Sequence, residues 1–150
     1  MGIAGNTVAS RGEIVKVTKV LIIDDDPSVR ECYGRLFRRE GYDTRLEPGG
    51  ASAERNLEEH RDARVVILDY RMPGMDGLEL LRRLRSRDFT APGVMVTAFA
   101  TPEVLEEARR LGIRRVFSKP VNVSQLLQAV RESLSPEGAG GERDDANRKE

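Results

Sequence analysis

Thiols are almost absent from this chain. A single cysteine, Cys32, stands in 150 residues, so no intrachain disulfide can form, and a reducing compartment such as the cytoplasm is expected. Long apolar runs are also missing. None approaches the roughly 20 residues that a membrane-spanning helix needs, and the N-terminus has no compact hydrophobic stretch ahead of a small-residue cleavage site. No membrane association is expected. Nor is there an excess of charge of one sign: Lys plus Arg and Asp plus Glu number 25 each. Without a net field the chain favours neither nucleic acid nor an anionic surface, so any electrostatic function must be local.

What is present fits one globular domain, with 39% hydrophobic and 33% charged residues. Residues 1–18 mix small, polar and charged residues with no sustained period, and 135–150 contain no apolar side chain larger than alanine. Both are expected to lie outside the core, as a flexible N-terminal extension and a Gly-rich charged tail around a domain at 19–134. Between them short apolar runs alternate with amphipathic stretches, the pattern of repeated βα units on a parallel sheet.

The first run, Lys19 to Ile23, is followed by Pro27 at a tolerated first helical position, then by Val29, Cys32, Tyr33, Leu36 and Phe37 at helical spacing as far as Gly41. In this pattern Cys32 reads as a small core residue. A short extended piece at Thr44 to Leu46 precedes a weak helix, Ala51 to Glu59, beyond which His60 reads as solvated. Val65 to Leu68 is an all-apolar run of central-strand length ending at Asp69.

Leu78, Leu81 and Leu84 mark a third helix, and Val94 to Val96 a fourth strand ending at Thr97. Thr101-Pro102-Glu103 starts a helix that Gly112 closes, and Val116-Phe117 forms the core of a fifth strand leading to Lys119. The last helix opens with Asn122 and Gln125 in capping-box spacing, flanked by Val121 and Leu126, and buries Leu126, Leu127, Val130 and Leu134. Five βα units with short connections predict an α/β fold with a doubly wound, five-stranded parallel sheet.

Sites in such sheets form beyond the carboxyl ends of the strands. Here those ends carry Asp24-Asp25-Asp26, Asp69, Thr97 and Lys119. Clustered acids repel and raise one another's pKa unless a cation neutralises them. Oxygen donors with no cysteine or histidine nearby point to a hard dication, and Mg²⁺, which keeps several waters, suits so sparse a set; Mn²⁺ is the expected substitute. Asp26 has a second reading, as the cap of the helix that begins at Pro27.

These residues carry a family resemblance. Asp24-Asp25 after "VLII", "LDYRMPGMDG" around Asp69, "VMVTA" with Thr97-Ala98, and "FSKP" with Lys119 together resemble the receiver domain of two-component response regulators, over about residues 18–134. The resemblance implies a flavodoxin-like (βα)5 fold with strand order 2-1-3-4-5. It makes Asp69 the phosphoacceptor and Asp25, Asp24, Asp69 and the Arg71 carbonyl the Mg²⁺ ligands. Lys119 and Thr97 would hold phosphoryl oxygens, and Thr97 would start a conformational switch. The phosphoryl donor would be a sensor histidine kinase or a phosphotransfer protein, and output would pass to a downstream protein, with a phosphorylation-dependent homodimer as one form. No DNA-reading module follows, so no direct nucleic-acid binding is expected.

The chain departs from the family pattern at Val116, three residues before the lysine, where many members carry an aromatic switch residue; strand alternation points Phe117 to the other face. Arg71 and Phe99, each two residues beyond a site residue, are expected to hinder the hydrolytic water and give a long-lived phosphoform. Two basic clusters, Arg82, Arg83, Arg85 and Arg87, then Arg109, Arg110, Arg114 and Arg115, read as solvated surface.

Two other functions stay open at this point. A haloacid-dehalogenase-like phosphatase would use Asp24 as nucleophile and Asp26 as acid/base, with Asp144-Asp145 as its only further Asp-Asp pair. A phosphorylation-independent interaction module would use the fold without the chemistry.

Overall fold

The computed structural model describes residues 6–8 and 14–135. A short antiparallel ribbon, β1 (Asn6–Val8) and β2 (Ile14–Lys16), comes first, with Thr7 opposite Val15. The sequence pattern did not predict it, since three-residue segments are too short to show a period. The residues beyond 135, Asp144-Asp145 included, lie outside the described part.

The domain then runs β3 (Lys19–Ile23), α1 (Pro27–Arg39), β4 (Asp43–Glu47), α2 (Gly50–Arg55), α3 (Leu57–His60), β5 (Val65–Asp69), α4 (Gly77–Ser86), β6 (Gly93–Thr97), α5 (Pro102–Arg110), β7 (Ile113–Ser118) and α6 (Val123–Leu134). The five parallel strands stand in the order β4-β3-β5-β6-β7. Counted from β3, this is the expected 2-1-3-4-5.

Every residue of β3, β5 and β6 is buried, because helices cover both faces of the sheet. Alternate residues enter two separate cores. Leu21, Ile23, Val66, Leu68 and Met95 pack with residues of α2 to α5, while Val20, Ile22, Val65, Ile67, Val94 and Val96 pack with Phe37 of α1 and Leu126 and Val130 of α6. Burying each such side chain contributes about 1.5–3 kcal/mol of transfer free energy. Val116 packs against the first core and Phe117 belongs to the second, so the predicted alternation holds.

The helix starts follow their capping residues. Asp26 accepts from Ser28 N and Val29 N, Thr101 from Val104 N, and Asn122 from Gln125 N. Gly112, with φ of +91°, turns the chain out of α5 where a side chain would be strained. No helix of the described residues is long and apolar enough to cross a membrane.

Four local expectations are corrected. The weak helix divides at Asn56 into α2 and α3, because the Asn56 side chain turns to the Glu47 carboxylate. Cys32 is exposed: the buried stripe of α1 is centred on Tyr33 and Phe37, and Cys32 falls to one side of it. His60 is buried, against the Glu47 carboxylate, since Glu47 at the end of β4 turns inward. Arg85 is half-buried and donates to the carbonyls of Leu111 and Phe89, so this member of the first basic cluster braces two turns.

Candidate functional site

The parallel sheet brings the ends of β3, β5, β6 and β7 to one edge. Asp24 follows the last residue of β3, Asp69 ends β5, Thr97 ends β6, and Lys119 follows β7. Two bonds extend the parallel ladder into the loops: Asp24 N donates to the Glu47 carbonyl at 3.2 Å, and Lys119 N to the Thr97 carbonyl at 3.0 Å. The site residues thereby sit on rigid backbone rather than at loop tips. After β5 the chain turns through Gly74, with φ of +85°, and α4 starts against the site. A Cβ on Gly77 would lie 2.2 Å from the Asp69 carbonyl oxygen, so only glycine permits this approach.

Asp24, Asp69 and Thr97 are buried, whereas Asp25 is exposed. Lys119 Nζ lies 2.7 Å from Asp69 Oδ2 and 3.6 Å from Asp24 Oδ2. The second Asp24 oxygen accepts from Asp26 N at 2.9 Å, and Asp69 Oδ1 from Arg71 N at 3.3 Å. The Thr97 hydroxyl oxygen accepts from Phe99 N at 3.1 Å. One oxygen from each of Asp24, Asp25 and Asp69 can lie within 4.8 Å of the others.

The electrostatics are unbalanced. Burial pushes the Asp24 carboxyl above its ordinary value, against the pull of the Asp26 amide and of Lys119. Burial alone would lower the Lys119 ammonium, but its hydrogen bond to Asp69 and the charges of Asp24 and Asp69 carry it upward. Burial also pushes the Tyr33 phenol up to about 12. Three carboxylates face one ammonium, an excess of two negative charges. A dication held by oxygen donors fits that excess and that donor set.

Of the side chains predicted from sequence to form the site, Asp24, Asp25, Asp69, Thr97 and Lys119 stand at one edge of the sheet, whereas Val116 lies within β7 and packs against the first core. Asp26 does not join them: its Oδ1 caps α1, accepting from Ser28 N and Val29 N. Three features were not legible in the sequence. Arg30 Nη1 donates to the Asp24 carbonyl at 2.8 Å, Arg71 stacks on Phe99, and a cis peptide joins Lys119 to Pro120. Arg30 falls six residues after Asp24, with no motif to mark it.

Comparison with known proteins agrees with this architecture. The family model described as "Response regulator receiver domain" matches residues 20–131. Sporulation initiation phosphotransferase F of Bacillus subtilis is 32% identical over 116 residues, which span 77% of this chain and 93% of that protein. Regulatory protein AtoC of Escherichia coli is 33% identical over 119 residues, 79% of this chain but 25% of that longer protein. Among solved structures, the CheY-like receiver domain protein of Methanospirillum hungatei JF-1 superposes with a TM-score of 0.76 at 25% identity, covering 84% of this chain and all of that one. A buried acid pair on a lysine at the carboxyl edge of a 2-1-3-4-5 sheet, and a family match across that whole sheet, lead to one conclusion: the chain belongs to the response regulator receiver domain family.

Proposed function

We propose that this receiver takes a phosphoryl group onto Asp69 from a phosphohistidine of a sensor histidine kinase or phosphotransfer protein. The observation that carries this is the Asp69 carboxylate, buried at the end of β5 and 2.7 Å from Lys119. A carboxylate oxygen of Asp69 attacks phosphorus, a P–O bond forms, the P–N bond breaks, and the imidazole leaves with its electron pair. Such transfer depends on in-line placement and on stabilising charge on the equatorial oxygens. Lys119 supplies a point charge to one of them. The Thr97 hydroxyl, now accepting from Phe99 N, has its own proton to donate to another.

Asp24, Asp25, Asp69 and the carbonyl of Arg71 would hold Mg²⁺, with Mn²⁺ as a substitute. When bound, the ion neutralises the acid cluster and orients the transferring group. The chain would thus catalyse its own phosphorylation and slow dephosphorylation. Its role is that of a signalling domain of the receiver family, and the name of the B. subtilis relative, a phosphotransferase, supports the phosphoryl transfer.

The switch would run from Thr97 to α5 and β7. Val116 packs against the core that contains Val104 and Ala108 of α5, so a displaced Thr97 would be read by apolar repacking rather than by an aromatic rotamer. Output would pass to a downstream protein.

Intact-mass analysis after incubation with Mg²⁺ and acetyl phosphate tests the reading. One phosphoryl adduct is expected in wild type and none in Asp69→Ala or with a chelator. An adduct that survives Asp69→Ala and vanishes in Asp24→Ala would replace this reading with the phosphatase. No adduct would leave the interaction module.

A further inference from the structure

Glu47 ends β4 beside the site and contributes no atom to the acid cluster. Its main chain nevertheless holds that cluster. The parallel register pairs Ile23 with Glu47, and the Glu47 carbonyl then accepts from the amide of Asp24 at 3.2 Å. The same residue turns its side chain inward, where it is 5% exposed. The carboxylate accepts from Ser52 Oγ and from Asn56 Nδ2 at 3.0 Å, and His60 Nε2 lies 2.6 Å from its Oε2.

Residues 52, 56 and 60 recur every four positions, so one face of α2 and α3 is organised around a single carboxylate. Burial alone would raise the Glu47 carboxyl. The bonds from His60, Ser52 and Asn56 outweigh burial and hold it below the ordinary carboxylate value. His60 is itself buried, and its Nδ1 has no hydrogen-bond partner. The ring is thus oriented by its contact with Glu47.

An apolar side chain at the end of an edge strand could fill the same space with no polar group to satisfy. A carboxylate with three partners instead specifies one geometry for the strand end. α2 also reaches the other side of the site. A Cβ on Gly50 would lie 2.9 Å from Met75 Sδ, so the first turn of α2 packs against the loop that follows Asp69.

We propose that Glu47 is a positioning residue for the cation site. Bracketing α2 and α3 through its carboxylate sets where its carbonyl holds the Asp24 amide, and therefore where the Asp24 carboxylate points. The inference rests on Asp24, Asp25 and Asp69 as the Mg²⁺ ligands, as proposed above.

The test is calorimetric titration of Mg²⁺ into the full chain as wild type, Glu47→Gln and Arg85→Met, with metal-free melting temperatures alongside. Glu47→Gln turns an amide NH₂ toward donors that now face an acceptor. It is expected to bind Mg²⁺ roughly 10-fold more weakly, at the low end of what indirect partners of metal ligands contribute. Arg85→Met removes a brace at the C-terminal end of α4 and is expected to lower the melting temperature while leaving Mg²⁺ affinity unchanged.

Wild-type affinity in Glu47→Gln, or an equal loss in Arg85→Met, would overturn the proposal. If Glu47→Gln does not fold, His60→Leu removes one partner of the bracket, and unchanged Mg²⁺ affinity there overturns it as well. A wild type that binds no Mg²⁺ would overturn the ligand assignment itself, and this inference with it. Tight binding by wild type with no loss in the variants would overturn the role of Glu47 alone.

Discussion

The guanidinium of Arg71 lies over the ring of Phe99, 4.2 Å from its centroid. Arg71 is two residues beyond Asp69 and Phe99 two beyond Thr97, so the stack ties together the loops that follow β5 and β6. Both residues are exposed, and a pair of this kind contributes about 0.5–1 kcal/mol.

The expectation from sequence is that Arg71 and Phe99 hinder the water that hydrolyses a phosphoaspartate, and the stack joins these two side chains. Arg71→Ala and Phe99→Ala are each expected to speed loss of the phosphoryl group several-fold in the purified protein. The double variant should be no faster than the faster single one, because the two act as one pair. Decay followed by intact mass checks this, and additive rates would show that they act separately.

Removing Lys119 leaves two buried carboxylates without their ammonium. Lys119 is partly exposed, so Lys119→Met is expected to destabilise the metal-free protein by about 1–2 kcal/mol, less than for a fully buried pair. Mg²⁺ should stabilise the variant more than it stabilises wild type. Urea unfolding with and without the ion measures both effects.

The Glu47 bracket carries an acid-side signature. Burial pushes this carboxyl up, but its hydrogen bonds bring it to a net value below the ordinary 4.5. The native state therefore binds fewer protons than the unfolded chain in that range. The stability it contributes is complete above the unfolded value and is lost as pH falls through the folded one. As pH falls through and below the ordinary carboxylate value, the urea midpoint of wild type should fall more steeply than that of Glu47→Gln. Parallel curves would show that the bracket is not charged.

Leu81 of α4 is fully buried in the core that backs the site. Leu81→Ala is expected to cost about 2–5 kcal/mol, the transfer and cavity terms together. Because Leu81 is an apolar core residue of α4 and no part of the acid cluster, phosphorylation of the folded fraction should persist, which denaturant titration and intact mass can separate.

Much of the site was legible in the linear sequence because each of its residues ends or follows a strand. An apolar run such as Val20 to Ile23 implies a strand covered on both faces, and a parallel sheet sends all such ends to one edge. Asp24, Asp69, Thr97 and Lys119 were placed together on that ground alone. Capping was legible for a related reason: Asp26, Thr101 and Asn122 act within three residues of themselves, and local chemistry needs no fold.

His60, Cys32, Arg85 and the break at Asn56 were decided only in three dimensions. Whether His60 meets water or a carboxylate depends on Glu47, thirteen positions earlier, turning inward at an edge strand. Cys32 shares its helix with a buried stripe, yet a rotation of one residue about the helix axis leaves it in solvent. Arg85 looks like surface charge until its guanidinium reaches the carbonyl of Leu111, 26 residues on. The sequence by itself determined the alternation of strands and helices and the acids at the strand ends, since periodicity and strand ends are local properties; the order of strands within the sheet was implied only by the family resemblance. Tertiary structure alone decided which polar side chains turn inward, because that depends on partners distant in the chain, whose bonds must outweigh the cost of leaving water.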